Sequence, residues 1–365
     1  MTQVFILGLL SLTLIGCNPM TSSEQTRESK IQTSPQYQGK KFVNPNGAPH
    51  YSLADFWLMA KKYTVIPRVD PKPIGEIPVV SVDPKDWLNL DPKEVFFSWL
   101  GHSSLLISLE GKTILVDPVL EERASPFSWI GPKRFHRAPV SVAGLPPIDV
   151  VLITHDHYDH LEEPTLRALA QKVGLFVVPL GIGALLEEWG VSPEKLVELD
   201  WWQAHPFGPL TLTATPAIHY SSRSLFDANQ RLWCSFSLAG PNRKIFISGD
   251  SGYFAGFKEV GERLGPFDYT FLKIGAYDET WKDVHMTAEE AVAQHLDLRG
   301  NLMVPLHWAS FDMALHPWYE PIEQMRAAAD LARVRYLTPQ VGQFIGPQPP
   351  PQTLWWQPLA PGHSF

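Results

Sequence analysis

The rhythm of apolar and polar positions changes three times along the chain. Val4 to Ile15 is an apolar run of twelve residues. Asn18 to Lys41 is polar, rich in Ser, Thr and Gln, and has no period. Residues 42–92 are interrupted by Pro45, Pro49, Pro67, Pro71, Pro73, Pro78, Pro84 and Pro92, which leaves little room for long elements. The one short helix expected there is Asp55 to Tyr63. From Val95 the pattern becomes regular. Val95–Leu100, Ser104–Leu109 and Thr113–Val116 read as neighbouring strands, with Glu110-Gly111-Lys112 as a tight turn. Val150–Thr154 is a short continuous apolar run, as in a buried strand. Helical patterns then fall at Pro164–Val173, Ile182–Trp189, Phe254–Leu264 and Ile322–Leu331. Extended patterns fall at Phe176–Val178, Lys195–Leu199, Pro209–Thr215, Leu232–Leu238, Lys244–Ser248, Tyr269–Ile274, Asn301–Pro305 and Val334–Leu337, the expected last strand. Thr287 and Glu290 form a capping box that opens a helix reaching Asp297. No short internal repeat occurs, so the pattern predicts a layered α/β domain rather than a solenoid.

The N-terminal run is too short for a membrane span, which needs about 20 residues, and fits a secretory apolar region. It ends in Leu14-Ile15-Gly16-Cys17, which resembles the lipobox of bacterial lipoproteins, although no Lys or Arg precedes the run. The resemblance implies a signal peptide over 1–16, a mature chain beginning at a lipidated Cys17, and a place in the bacterial cell envelope, periplasmic or on the outer face. Residues 17–41 then read as a flexible polar tether, 42–345 as the globular domain with its extended lead-in, and 346–365 as a proline-rich tail. Of 34 prolines, 16 lie in residues 19–92 and 346–365, so the proline excess belongs to the lead-in and tail. With Cys17 lipidated, Cys234 is left as a buried apolar residue, and no disulfide framework is possible. A net charge of −8 argues against a sequence-independent grip on nucleic acid.

Chemistry concentrates in Thr154-His155-Asp156-His157-Tyr158-Asp159-His160, directly after the Val150–Thr154 strand. Imidazole with carboxylate suits a borderline metal such as zinc, whereas calcium or magnesium would call for all-oxygen ligands. His155 and His157 can reach one point from that turn, and Asp159 and His160 a second point. Three later residues follow expected strands: His219, Asp250 and His307. Loops at the carboxyl ends of strands are where α/β layers place their sites. His50, His136, His205, His295, His316 and His363 are expected at the surface or in loops. The basic cluster Lys133-Arg134 and Arg137 is either a phosphate contact or a solvated loop.

The H-x-H-x-D-H motif, followed by His219, Asp250 and His307 in that order, resembles the metallo-β-lactamase superfamily. Within it, the chain is similar to N-acylphosphatidylethanolamine-hydrolysing phospholipase D. That likeness runs through many short blocks between about residues 42 and 345. They include Phe42-Val43-Asn44-Pro45, Trp99-Leu100-Gly101-His102, Gly131-Pro132-Lys133-Arg134-Phe135, Glu198-Leu199-Asp200-Trp201-Trp202 and Ile274-Gly275-Ala276-Tyr277. The fold implied is an αβ/βα sandwich, two mixed sheets face to face with helices outside. The resemblance puts His155, His157 and His219 on one zinc, Asp159, His160 and His307 on a second, and Asp250 between the two. His285 matches a further histidine near the site. Asp117 is a candidate for the carboxylate that holds a ligand imidazole in its tautomer, and His102 is left open.

The activity implied is that of a phosphodiesterase with two Zn2+ per chain. Water activated by the metals would attack phosphorus, giving phosphatidate and an N-acylethanolamine. Asp159 and Asp250 would orient the nucleophile. His285 would either protonate the leaving alkoxide or bind a phosphoryl oxygen. The expected partners are a phospholipid substrate, the membrane through the lipid anchor, and a second copy in a homodimer. Two alternatives compete: a hydrolase of another ester, lactone or amide on the same fold, and a binding lipoprotein without catalysis.

Overall fold

The computed structural model describes residues 22–45, 57–58, 61–62, 64–224 and 226–360. The apolar run, Cys17, His50 and His363 lie outside the described residues, as does part of the expected Asp55–Tyr63 helix. The first elements are a helix α1 (Ser22–Thr33) and a small hairpin of β1 (Tyr37–Gln38) and β2 (Lys41–Phe42). Polar composition predicted a tether here, and the structure corrects it. The helix has no apolar face to reveal it. It docks through Arg27, whose guanidinium contacts Glu198 at 2.5 Å and Glu187 at 2.6 Å, while Ile31 and Phe42 enter the core.

The continuous strand patterns form the first sheet. Its strands are β3 (Phe96–Gly101), β4 (Ser104–Leu109), β5 (Lys112–Val116), β6 (Val150–Leu152), β7 (Leu175–Pro179) and β8 (Leu196–Leu199). The β4–β5 hairpin closes with Leu109 opposite Lys112, so Glu110 and Gly111 alone make the turn, both with positive φ. From β5 to β8 the pairing is parallel, with α2 (Glu163–Leu169) and α3 (Gly183–Glu188) in the crossovers. The second sheet runs β9 (Ala204–Phe207), β10 (Leu210–Thr215), β11 (Ser235–Ala239), β12 (Lys244–Ile247), β13 (Phe267–Lys273) and β14 (Gly300–Leu306). It is antiparallel up to β12 and parallel beyond, where α4 (Gly256–Arg263) and α5 (Ala288–Asp297) make the crossovers. Thr287 caps α5 in the predicted capping box. A final helix, α6 (Glu320–Ala332), precedes β15 (Phe344–Ile345), which returns to pair with β3.

Two mixed sheets, with a large core shared between them and helices on the flanks, form the expected αβ/βα sandwich. The expected strand Val334–Leu337 is instead an isolated bridge, Tyr336 to Met303, because this segment only skirts the β14 edge. Cys234 is free and buried, as expected. Among the described residues, no helix is long and apolar enough to cross a membrane.

Residues 347–353 of the proline-rich tail are exposed, but Trp355, Trp356 and Ala360 beyond them enter the core. Trp355 stacks on Trp308 at 5.2 Å, and Trp308 stacks on Trp99 at 5.6 Å. Trp356 is fully buried and donates from Nε1 to Glu323 Oε1 at 2.6 Å. This column backs the strand end that carries His307. Trp356→Ala is therefore expected to cost about 3–5 kcal/mol of stability, measured by denaturant unfolding.

Candidate metal centre

Each sequence-predicted ligand, and Asp117 with them, sits just beyond a strand end. Asp117 follows β5, His155 to His160 follow β6, His219 follows β10, Asp250 follows β12 and His307 follows β14. Local backbone strain marks the same turns. Asp117, His102 and His307 have positive φ (39°, 53° and 65°), which costs energy for non-glycine residues and clusters at functional sites. Gly249 has φ +56°, and a Cβ there would come within 2.7 Å of Thr154 Cβ. The turn bearing Asp250 thus presses directly onto the turn bearing His155.

The seven predicted residues converge. Potential ligand atoms lie within 4.8 Å of one another in four overlapping groups: His155, His157 and His219; His155, His160 and Asp250; His102, Asp159, His160 and His307; and His219, Asp250 and His285. All of these side chains are buried except His157 and His285, which are half-buried. Asp156, inside the motif, points elsewhere. Its carboxylate is buried against Arg231 at 2.8 Å and accepts from Ser222 N.

Hydrogen bonds outside the cluster assign the tautomers. Asp117 accepts from Thr154 N at 2.8 Å, from Thr154 Oγ1 at 2.6 Å and from His160 Nδ1 at 2.8 Å. It thus stands behind His160, one of the imidazoles expected as ligands. With its hydroxyl proton given to Asp117, Thr154 Oγ1 accepts from His155 Nδ1 at 3.0 Å. Val284 O accepts from His219 Nδ1 at 3.2 Å. His155 Nε2 and His219 Nε2 are thus left with lone pairs. Both point at His157 Nδ1, at 3.0 and 3.1 Å, an atom that can carry one proton at most. Three converging imidazole nitrogens short of protons fit a cation. On the other side, His160 Nε2, His307 Nε2 and Asp250 Oδ1 are buried without a hydrogen-bond partner. The residues present therefore fit metal ions, and the cluster could hold them.

Electrostatics agree with that donor set. Burial, then the neighbouring histidines, push the His155 and His219 pKa values well below ordinary, which keeps both rings neutral. Burial also lowers His157. Burial alone would lower His160 too, but Asp250, Asp159 and Asp117 lift it well above its ordinary value. Burial opposes ionisation of Asp159 and Asp250, yet the histidines around them hold both carboxylates well below the usual range.

The structure adds residues that spacing could not reveal. His102 Nε2 lies 2.8 Å from Asp159 Oδ2, its backbone N–H donates to Ser310 Oγ, and its carbonyl accepts from His307 N. It therefore fixes both Asp159 and the His307 strand end. Asn44 clamps the His219 backbone through two bonds, donating to His219 O at 2.8 Å and accepting from His219 N at 2.9 Å. Lys273, at the end of β13, is fully buried, and its ammonium has no hydrogen-bond partner. Burial lowers its pKa to about 8 against the attraction of Asp250, Glu290 and Asp159. His285 Nε2 stands 3.6 Å from Asp250 Oδ2, beyond hydrogen-bond length.

His136 and His316 lie in loops, as expected, whereas His295 is a buried residue of helix α5. His136 and His295 are buried, and His316 is half-buried with Nε2 accepting from Ala276 N. Burial lowers each pKa to about 4. Between that value and about 6.5 the unfolded chain binds protons that the folded chain refuses, so stability falls as pH falls. His160 acts with the opposite sign, but the lowered histidines outnumber it. The melting temperature is expected to drop steadily from pH 7 to pH 5 in thermal denaturation.

Residues 112–308 match the description of the Beta-lactamase superfamily domain. The chain belongs to the metallo-β-lactamase superfamily. Its sequence is 41% identical over 335 residues to an uncharacterized protein of Mycobacterium tuberculosis, covering 89% of this chain and 88% of that protein. It is 31% identical over 351 residues to N-acyl-phosphatidylethanolamine-hydrolyzing phospholipase D 1 of Caenorhabditis elegans, covering 89% of this chain and 98% of the relative. Among solved structures, isothiocyanate hydrolase from Delia radicum gut bacteria superposes with TM-score 0.56 at 21% identity. That match covers 68% of this chain and 98% of the other, and it bears on the fold alone. Within the superfamily this chain is a metal-dependent hydrolase whose His/Asp cluster could bind metal.

Proposed function

We propose that the chain is a dizinc phosphodiesterase of phospholipase D type. It cleaves N-acylphosphatidylethanolamine, or a similar phospholipid, to phosphatidate and an N-acylethanolamine. One observation carries this reading: the complete His/Asp cluster sits in a chain related to such a phospholipase over nearly its whole length. His155, His157 and His219 would hold one ion, Asp159, His160 and His307 the other, and Asp250 would serve both. Bound there, the ions would supply Lewis-acid charge for the phosphoryl oxygens and acidify a water.

The remaining roles belong to the chain. Asp117 and Thr154 lock the His155 and His160 rings so that each Nε2 faces inward. His102 steadies the Asp159 carboxylate. Burial, followed by the charge of Lys273, pushes the His285 pKa well below ordinary. A neutral ring is a poor acid but keeps an N–H to donate, so His285 is read as a phosphoryl-oxygen donor rather than the leaving-group acid. His285→Ala is then expected to lower kcat by about a hundredfold. His285→Gln, which retains an N–H, should recover part of that loss, whereas an acid role would show equal losses.

Lipidation of Cys17 in a bacterial envelope completes the proposal, because a tether raises the effective concentration of membrane substrate. Zinc-loaded protein should release N-acylethanolamine from vesicles of N-acylphosphatidylethanolamine, detected by mass spectrometry, and chelator should stop it. Full zinc occupancy without product would sink the lipid substrate.

A further inference from the structure

The loop between β5 and β6 carries positive charge that the metal centre does not use. Its arms are paired: Ala124 N donates to Pro132 O at 3.1 Å and Arg134 N to Glu122 O at 2.9 Å, with Arg123 bridged to Lys133. The tip between these arms holds Phe127, Trp129 and Ile130, exposed by 53%, 73% and 51%. The Phe127 and Trp129 rings stand 5.6 Å apart. Gly131 has φ +102°, and a Cβ there would come within 2.6 Å of Ser125 Cβ, so the tip is closely folded.

At the base of this loop is a cavity of about 520 Å³. Its charged wall is Lys72, Arg123, Lys133, Arg134 and Asp312. Asp312 is already held by Arg68, with Nη1 2.8 Å from Oδ2 and a second contact to Oδ1. Lys133 contacts Glu122 at 2.6 Å on the exposed side. Arg134 is 7% exposed; its Nε donates to Glu121 O and its Nη2 to Val119 O, while Nη1 is buried without a partner. Arg123 donates from Nη1 to Gly131 O at 2.6 Å, and its Nε is likewise buried without a partner. The nearby Glu162 carboxylate is taken up by Leu120 N, Glu121 N and Thr165 Oγ1. With Asp312 and Glu162 already engaged, the wall formed by Lys72, Arg123, Lys133 and Arg134 keeps a surplus of positive charge for an anion. The cavity also lies one ring from the metal centre. The Arg134 guanidinium covers Phe311 at 5.0 Å, and Phe311 meets the His102 ring at 5.1 Å.

We propose that this cavity binds the phosphate of an anionic phospholipid in a bilayer while the Phe127–Trp129–Ile130 tip enters the interfacial layer. Exposed Trp beside a basic patch suits that layer, where an apolar body and a polar edge are both satisfied. Concentrated positive charge in a chain of net charge −8 selects an anionic surface. The site stands independently of the reaction at the metals.

The test uses the full chain as Cys17→Ser, Ile130→Cys, labelled with an environment-sensitive fluorophore; Cys234 is buried and stays unlabelled. Vesicles containing phosphatidylglycerol should shift the emission to the blue, and vesicles of phosphatidylcholine alone should shift it far less. Lys72→Gln and Lys133→Gln, both exposed and safe for folding, should each weaken the apparent affinity by about fivefold. Arg123→Gln should do the same, and inorganic phosphate alone should leave the emission unchanged. The proposal fails if anionic vesicles give no shift or if neutral vesicles match them. It fails equally if the charge variants bind as before, or if inorganic phosphate reproduces the effect and marks a free-anion site.

Discussion

Asp250→Asn is expected to abolish turnover, lowering kcat/KM by about a thousandfold or more. Asp250 is the residue proposed to serve both ions, and its carboxylate already lies 3.4 Å from His160 Nε2 and 3.2 Å from His307 Nε2. Losing several kcal/mol of charge stabilisation at phosphorus corresponds to about three powers of ten in rate. Metal content by mass spectrometry should fall below two equivalents per chain. A second readout separates this from misfolding. Asp250 is the largest influence holding the His160 ring protonated against burial. In metal-free protein, the His160 resonance should therefore titrate at lower pH in the variant, with the fold intact by circular dichroism. Wild-type metal content together with lost activity would move Asp250 from metal binding to another role.

Asp117→Asn should cost up to about a hundredfold in metal affinity, felt at both sites, while leaving most of the fold in place. The native carboxylate accepts three hydrogen bonds, from Thr154 N, Thr154 Oγ1 and His160 Nδ1. Asparagine keeps one acceptor oxygen and turns an NH2 toward the other two donors. To satisfy it, His160 must move its proton to Nε2, the nitrogen that faces Asp159 and Asp250 at 3.5 and 3.4 Å. A ring protonated there cannot bind metal. Thr154 can no longer give its hydroxyl proton to residue 117, so His155 loses its fixed tautomer as well. Competition titration with a chelating dye should show both sites weakened, and unchanged affinity at either site would contradict the tautomer chain.

The His/Asp cluster was legible because its residues are compressed into one turn and then recur after strand ends. A strand delivers the next residue to the same edge of the sheet, so His219, Asp250 and His307 could be placed without coordinates. The β4–β5 hairpin was legible for a similar reason, a Glu-Gly turn between two apolar runs. What escaped depends on contacts between distant residues. Helix α1 has no apolar stripe; ion pairs from Arg27 to Glu187 and Glu198 hold it in place. The tail reads as proline-rich, and only the Trp308–Trp355 stack reveals that its tryptophans belong to the core. His102 and Lys273 stand singly at strand ends and carry no spacing signal. Asn44 had one trace, the Phe42-Val43-Asn44-Pro45 block, whose role becomes visible only when its side chain is found on the His219 backbone.

The central claim is hydrolysis at phosphorus. The most direct test is to incubate zinc-loaded protein with N-acylphosphatidylethanolamine in 18O-labelled water and to find the label by mass spectrometry. One 18O atom is expected on the phosphate of phosphatidate and none in the N-acylethanolamine. Label in a released fatty acid, with the phosphodiester intact, would contradict it and make the centre an ester or amide hydrolase.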